Sequence, residues 1–122
     1  MLFKYTDDMP IVKIVVSGEV REKEFDAYID SASSKTMIPS DSIDELGLTF
    51  KEFVPIATGA GIILLPLYIV KVTAFGRIFD IRVGCLDLPN EAGIRVLLGR
   101  DILDSFKVYL NGKMKEIEVS DP

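Results

Sequence analysis

Ala27-Tyr28-Ile29-Asp30-Ser31-Ala32-Ser33-Ser34-Lys35-Thr36-Met37-Ile38-Pro39 decides how the rest of the chain is read. An apolar strand delivers an aspartate into a run of four small residues, and an apolar strand then resumes before Pro39. Small side chains let backbone and solvent approach the carboxylate, as acid/base work on a peptide carbonyl requires. Taken alone, the segment reads first as a solvated turn, because Asp and Ser both favour turns.

The flanks are strand-like. On the N-terminal side, Ile11-Val12-Lys13-Ile14-Val15-Val16 is β-branched, Ser17-Gly18-Glu19 breaks it, and Glu24-Phe25-Asp26-Ala27-Tyr28-Ile29 alternates polar with apolar. This predicts a hairpin whose second strand points at Asp30. On the C-terminal side, residues 39–47 carry a Ser cap candidate, early acids and a Gly stop, which predicts a helix of about two turns. Strands are expected at 50–56, 62–75 and 77–86, with Gly59, Gly61 and Gly76 at the reversals. Pro89-Asn90-Glu91-Ala92-Gly93 reads as a loop, and residues 94–98 as an apolar strand ending at Gly99. Residues 100–106 fit one or two helical turns, and a last hairpin of 107–110 with 114–119 turns at Asn111-Gly112. The expected class is all-β, with one or two short helices and a barrel-like closure, in one domain spanning 1–122.

Composition removes whole classes of chemistry. The 122 residues include no His, which excludes Ser-His-Asp and Cys-His nucleophiles and His-rich zinc sites. Cys85 is the only cysteine, so neither an internal disulfide nor a CxxC pair is available. Fourteen basic and 19 acidic residues give a net charge of −5 in mixed order, the opposite of the basic stripe that binds nucleic acid. The longest apolar run, residues 62–70, is broken by Pro66 and is too short for a membrane helix. Residues 1–8 lack a basic segment followed by an apolar one, so no membrane partner and a cytoplasmic location are expected.

A second segment gives the first its meaning. Val96-Leu97-Leu98-Gly99-Arg100-Asp101-Ile102-Leu103 is an apolar strand, a Gly and a short helical turn, about seventy residues after Asp30. By itself it is a strand-to-helix junction opened by the Gly. Together and in this order, the two segments resemble the retropepsin-like aspartic proteases, retroviral and prokaryotic. That family pairs an Asp-Thr/Ser-Gly-Ala-Ser-type loop, an apolar strand and Pro with an apolar-apolar-Gly-Arg-Asp/Asn stretch. The resemblance runs from about residue 11 to residue 119.

The resemblance implies a closed retropepsin-like β-barrel with a flap hairpin near residues 55–66. It implies that Asp30 is the catalytic carboxylate and that Ser31 supplies a hydroxyl bonding across two active-site loops. Ala32 stands where Gly is usual, followed by Ser33. Leu97, Leu98 and Gly99 would cross beneath the loop, Arg100 would open the helix, and Thr58, Gly59, Ala60, Gly61 and Ile62 would form the flap tip. Asp41-Ser42 and Asp104-Ser105 lack the small-residue run, so the chain holds one catalytic loop and implies a homodimer acting on a peptide or protein substrate. No metal and no cofactor are implied. Two other readings remain open from the residues: a peptide-binding or dimerisation module on the same fold, and a small β-barrel in which the Asp30 loop is only a turn.

Overall fold

The computed structural model describes residues 1–87 and 93–121. In chain order the elements are β1 (Leu2–Lys4), β2 (Ile11–Ser17), β3 (Glu22–Ile29), β4 (Met37–Ile38), α1 (Ser42–Leu46), β5 (Thr49–Thr58), β6 (Gly61–Ala74), β7 (Arg77–Cys85), β8 (Val96–Leu98), α2 (Arg100–Leu103), β9 (Lys107–Asn111) and β10 (Glu116–Ser120). Strands hold 59% of the residues and helices 8%, so the all-β class stands.

Six strands close a barrel in the order β2-β3-β8-β4-β7-β6, and β6 returns to β2 through Val15↔Thr73, Val16↔Val72 and Ser17↔Lys71. Where the ladder closes, it removes the exposed edges an open sheet would present. The alternation in the sequence fills the interior: Val12, Ile14 and Val16 from β2, Phe25, Ala27 and Ile29 from β3, and Val70, Val72 and Ala74 from β6 are all buried. Each such large aliphatic contributes roughly 1.5–3 kcal/mol on leaving water. β5 lies outside the ring and pairs only with β6.

A separate three-stranded sheet, β1-β10-β9, covers one part of this core with Ile117 and Val119. Aromatic rings lock it on. Phe75, in the tight turn between β6 and β7, lies 5.9 Å from Phe3 and 5.0 Å from Phe106, and the Arg77 guanidinium covers Phe79 and Phe106. Both Phe75 (φ 53) and Gly76 (φ 76) are left-handed, the conformation of a two-residue hairpin turn.

Several expected boundaries move. The 39–47 helix is only Ser42–Leu46, because Ser40 gives its N–H and its hydroxyl to the Asp87 carboxylate instead of capping. These two bonds hold Asp87 below the usual carboxylate range. The 94–98 strand shortens to Val96–Leu98 and the 100–106 helix to Arg100–Leu103. The last hairpin turns through 112–115, with Lys115 left-handed, and its second strand starts at Glu116. β1 was not foreseen at all. The loop expected at 89–93 falls, apart from Gly93, outside the described residues. Among the described residues no helix is long and apolar enough to cross a membrane.

Cys85 ends β7 inside the core, and burial, helped by the nearby Asp87 charge, pushes its thiol up to about 12. Near pH 8 the native protein should therefore resist a chromogenic aromatic disulfide and react fully only after denaturation. Reaction of the native protein at the rate of a free thiol would show that the end of β7 opens.

Candidate active site

Asp30 sits where β3 ends. β3 runs parallel to β8 through Ala27↔Val96, Tyr28↔Leu97 and Ile29↔Leu98, and the Asp30 N–H extends this ladder by donating to the Leu98 carbonyl at 3.0 Å. The chain then turns on itself. Ala32 N–H donates to the Asp30 carboxylate at 3.0 Å and Ser33 N–H to the Asp30 carbonyl at 3.2 Å, a pattern in which a short acidic side chain replaces a backbone acceptor. Asp30 is half-buried and Ser31 exposed, so solvent reaches both. Among the described residues the Ala32 bond is the carboxylate's only one, and the Ser31 hydroxyl makes none.

Ala32 departs from the Gly that the resemblance leads one to expect. The structure shows why it is tolerated: Ala32 is not among the residues with positive φ, so this loop does not use the freedom that only Gly has.

The second motif clamps the loop from below. Arg100 N–H donates to the Ser33 carbonyl at 2.8 Å and its guanidinium to the Ser31 carbonyl at 3.0 Å. Asp101 accepts the Thr36 N–H at 2.9 Å and the Thr36 hydroxyl at 2.7 Å, and that hydroxyl accepts the Gly99 N–H at 3.1 Å. Gly99 is needed for space. Its backbone is ordinary and extended, yet a Cβ there would lie 2.5 Å from the Lys35 carbonyl carbon. The structure thus brings Asp30, Ser31, Ala32 and Ser33 together with Leu98, Gly99 and Arg100. Thr36 was missed as a site residue, and Asp101, although quoted in the second motif, was given no role; a Thr opening an apolar strand was the visible signal.

The expected flap corresponds to a real hairpin. β6 pairs with β7 only from Leu67 onward, so along Gly61 to Pro66 its ladder partner is β5 alone. Thr58 and Gly61 close the tip: the Thr58 hydroxyl donates to the Gly61 carbonyl at 2.8 Å and accepts the Ala60 N–H at 3.2 Å. A Cβ at Gly59 or Gly61 would meet nothing within 4 Å, so the tip stands in open space. Alternation divides the hairpin into two faces. Val54, Ile56, Ile63 and Leu65 lie on the more buried one, whereas Ile62 and Leu64 are 76% and 65% exposed. Ile62 therefore points away from that inner face.

A groove of about 300 Å³ starts at Ile29 and Ser31 and passes Arg100, Leu103 and Phe106 to reach Val108 and Leu110 of β9. The Asp30 loop and the edge of the three-stranded sheet thus share one surface.

No family model and no curated protein sequence matches this chain. Solved structures do resemble it. EIAV protease complexed with the inhibitor HBY-793 superposes with a TM-score of 0.64 at 17% identity, covering 80% of this chain and 88% of that one. A retropepsin-like aspartic protease from Rickettsia conorii gives 0.62 at 16% identity, covering 98% and 88%. The retroviral protease-like domain of Ddi1 from Leishmania major gives 0.54 at 11% identity, covering 93% and 91%. The fold of this chain is retropepsin-like.

Two substitutions probe the clamp. Gly99→Ala forces its Cβ against the Lys35 backbone and should cost about 1–3 kcal/mol of stability. Thr36→Val keeps the shape but leaves an Asp101 oxygen and the Gly99 N–H unpartnered, which should cost about 1–3 kcal/mol. Denaturant unfolding measures both, and midpoints equal to wild type would refute the clamp.

Proposed function

We propose that the protein is an aspartic endopeptidase that works as a homodimer, with water activated between two Asp30 carboxylates. The observation that carries this reading is the Asp30 loop itself: a solvent-reachable carboxylate on a clamped turn, present once per chain, on a retropepsin-like fold. The freedom of the Ser31 hydroxyl supports it, since a bond to a second loop needs an uncommitted donor.

One carboxylate cannot serve as base and acid at once. Two that share a site cannot both be charged, so the pair holds one proton, the behaviour for which aspartic proteases are the standard example. The ionised Asp30 takes a proton from water as its oxygen attacks the peptide carbonyl carbon, and the protonated Asp30 gives its proton to the carbonyl oxygen. Collapse of the tetrahedral intermediate breaks the C–N bond: the leaving nitrogen takes the proton of one Asp30 while a hydroxyl of the intermediate returns a proton to the other, so the pair again holds one proton. Ser31 holds the two loops in register. The β5–β6 hairpin, with Val54, Ile56, Ile63 and Leu65 on one face, covers an extended substrate.

Asp30→Asn keeps the shape and removes the shared proton, so cleavage of an unfolded protein should fall by about 10²–10⁴-fold with folding intact. Mixing is the sharper test. Once wild-type chains have exchanged with an excess of Asp30→Asn chains, activity per wild-type chain should approach zero. Full retention, with exchange verified, would end the shared-site reading.

A further inference from the structure

We propose that the open edge of β7 takes an extended peptide as an added strand, and that Lys35 selects a peptide with a carboxylate side chain beside it. Such a site lies outside the shared-carboxylate reading and stands without it. On one side β7 is held by β6 from Arg77 to Gly84. On the other it meets only β4, at Gly84 and Cys85. The Gly84 N–H donates to the Thr36 carbonyl at 2.9 Å, so Gly84 turns its polar backbone groups away from β6. The β6–β7 pairing has no register shift, and alternation therefore turns the N–H and C=O of Arg82, Asp80 and Ile78 the same way. Among the described residues these groups have no partner.

The cause is local. In a longer parallel ladder the Thr36 N–H would go to the Arg82 carbonyl, but it goes to the Asp101 carboxylate at 2.9 Å, and β4 begins only at Met37. The chain before Thr36 leaves β7 and packs its Lys35 carbonyl on Gly99. The place left vacant is a groove of about 510 Å³ lined by Lys35, Ile69, Asp80, Ile81, Arg82 and Asp101. It shares no lining residue with the groove at Ser31.

The charges in the groove point to its occupant. Asp80 is paired with Lys71 and Arg82 with Glu52, and each Asp101 oxygen accepts a hydrogen bond from Thr36. Lys35 is half-buried, and among the described residues its ammonium makes no ion pair and no hydrogen bond. Because Met37 pairs with Gly84, Lys35 stands at the level of Arg82, two residues back on each strand. Ile78, 68% exposed, lies four residues before Arg82 on the same face of β7. The complementary strand thus carries an apolar and an acidic residue four positions apart on one face. A second copy of β7 fits poorly: the antiparallel register that uses Ile78, Asp80 and Arg82 together sets Asp80 against Asp80, with like charges directly opposed.

The probe is a fluorescein-labelled, capped peptide, Ser-Ile-Thr-Val-Thr-Glu-Ser, tested beside its reversed sequence because a free edge accepts either direction. The protein is the full chain with Asp30→Asn, so that the peptide stays whole. One of the two peptides should bind, and hydrogen exchange at the Ile78, Asp80 and Arg82 amides should then slow by about tenfold or more. Lys35→Glu should weaken binding by about tenfold, and a peptide with Lys in place of Glu should recover it. Asp80→Pro removes an outward N–H, leaves the β6–β7 ladder whole and should abolish binding. Should Asp80→Pro fail to fold, amide exchange and the charge swap decide alone. Binding of neither peptide, binding that leaves the three amides unprotected, or a Lys35→Glu chain that treats both charges as wild type does would overturn the site. So would protection of the same amides on concentrating the protein alone, which would assign the edge to a second copy. None of these readouts uses cleavage, so failure of the protease reading leaves them unchanged.

Discussion

Thr36 is fully buried, and every polar group it owns is used. Its N–H and hydroxyl go to Asp101, its hydroxyl also receives the Gly99 N–H, and its carbonyl accepts the Gly84 N–H at 2.9 Å. Three distant stretches of chain thus meet on one residue in a place water does not reach, where an unmade bond costs more than a made one gains. The barrel depends on this. β4 has two residues, yet it alone bridges β8 and β7, with Met37 paired to both Leu97 and Gly84. So short a strand cannot hold its place by its own ladder, and Thr36, immediately before it, fixes where it enters.

The same clamp gives the Asp30 loop a rigid underside. Its ends are tied at Leu98 and Thr36 and its middle at Arg100, so the carboxylate is aimed by backbone bonds rather than by side-chain packing. The flap hairpin is the opposite case. Beyond Leu67 it is two strands with solvent at the tip, and a two-stranded ribbon is marginal on its own. Backbone ties are thus dense under the Asp30 loop and sparse along the hairpin.

Asp30, Gly99 and the hairpin tip were legible because each rests on a local rule: an acid among small residues, a glycine between a strand and a helix, and glycines between apolar strands. The barrel strands β2, β6 and β7 were legible because one buried face imposes period-two alternation. What escaped depends on partners far away in the chain. Ser40 looks like a cap until Asp87, 47 residues on, takes its hydrogens. Leu2–Lys4 is too short a run to read as a strand until Glu116–Glu118 pairs with it. Thr36 and Asp101 are 65 residues apart, and neither has a local signature that names the other.

The N-terminal strand has a further consequence for assembly. β1 is hydrogen-bonded to the chain's own β10, with the Met1 amino group held by Val119, so all three strands of the terminal sheet come from one chain. Dimers built by exchanging terminal strands must first unpair them, and much of the folding free energy is then shared between subunits. Here such an exchange would give up hydrogen bonds that a single chain already makes.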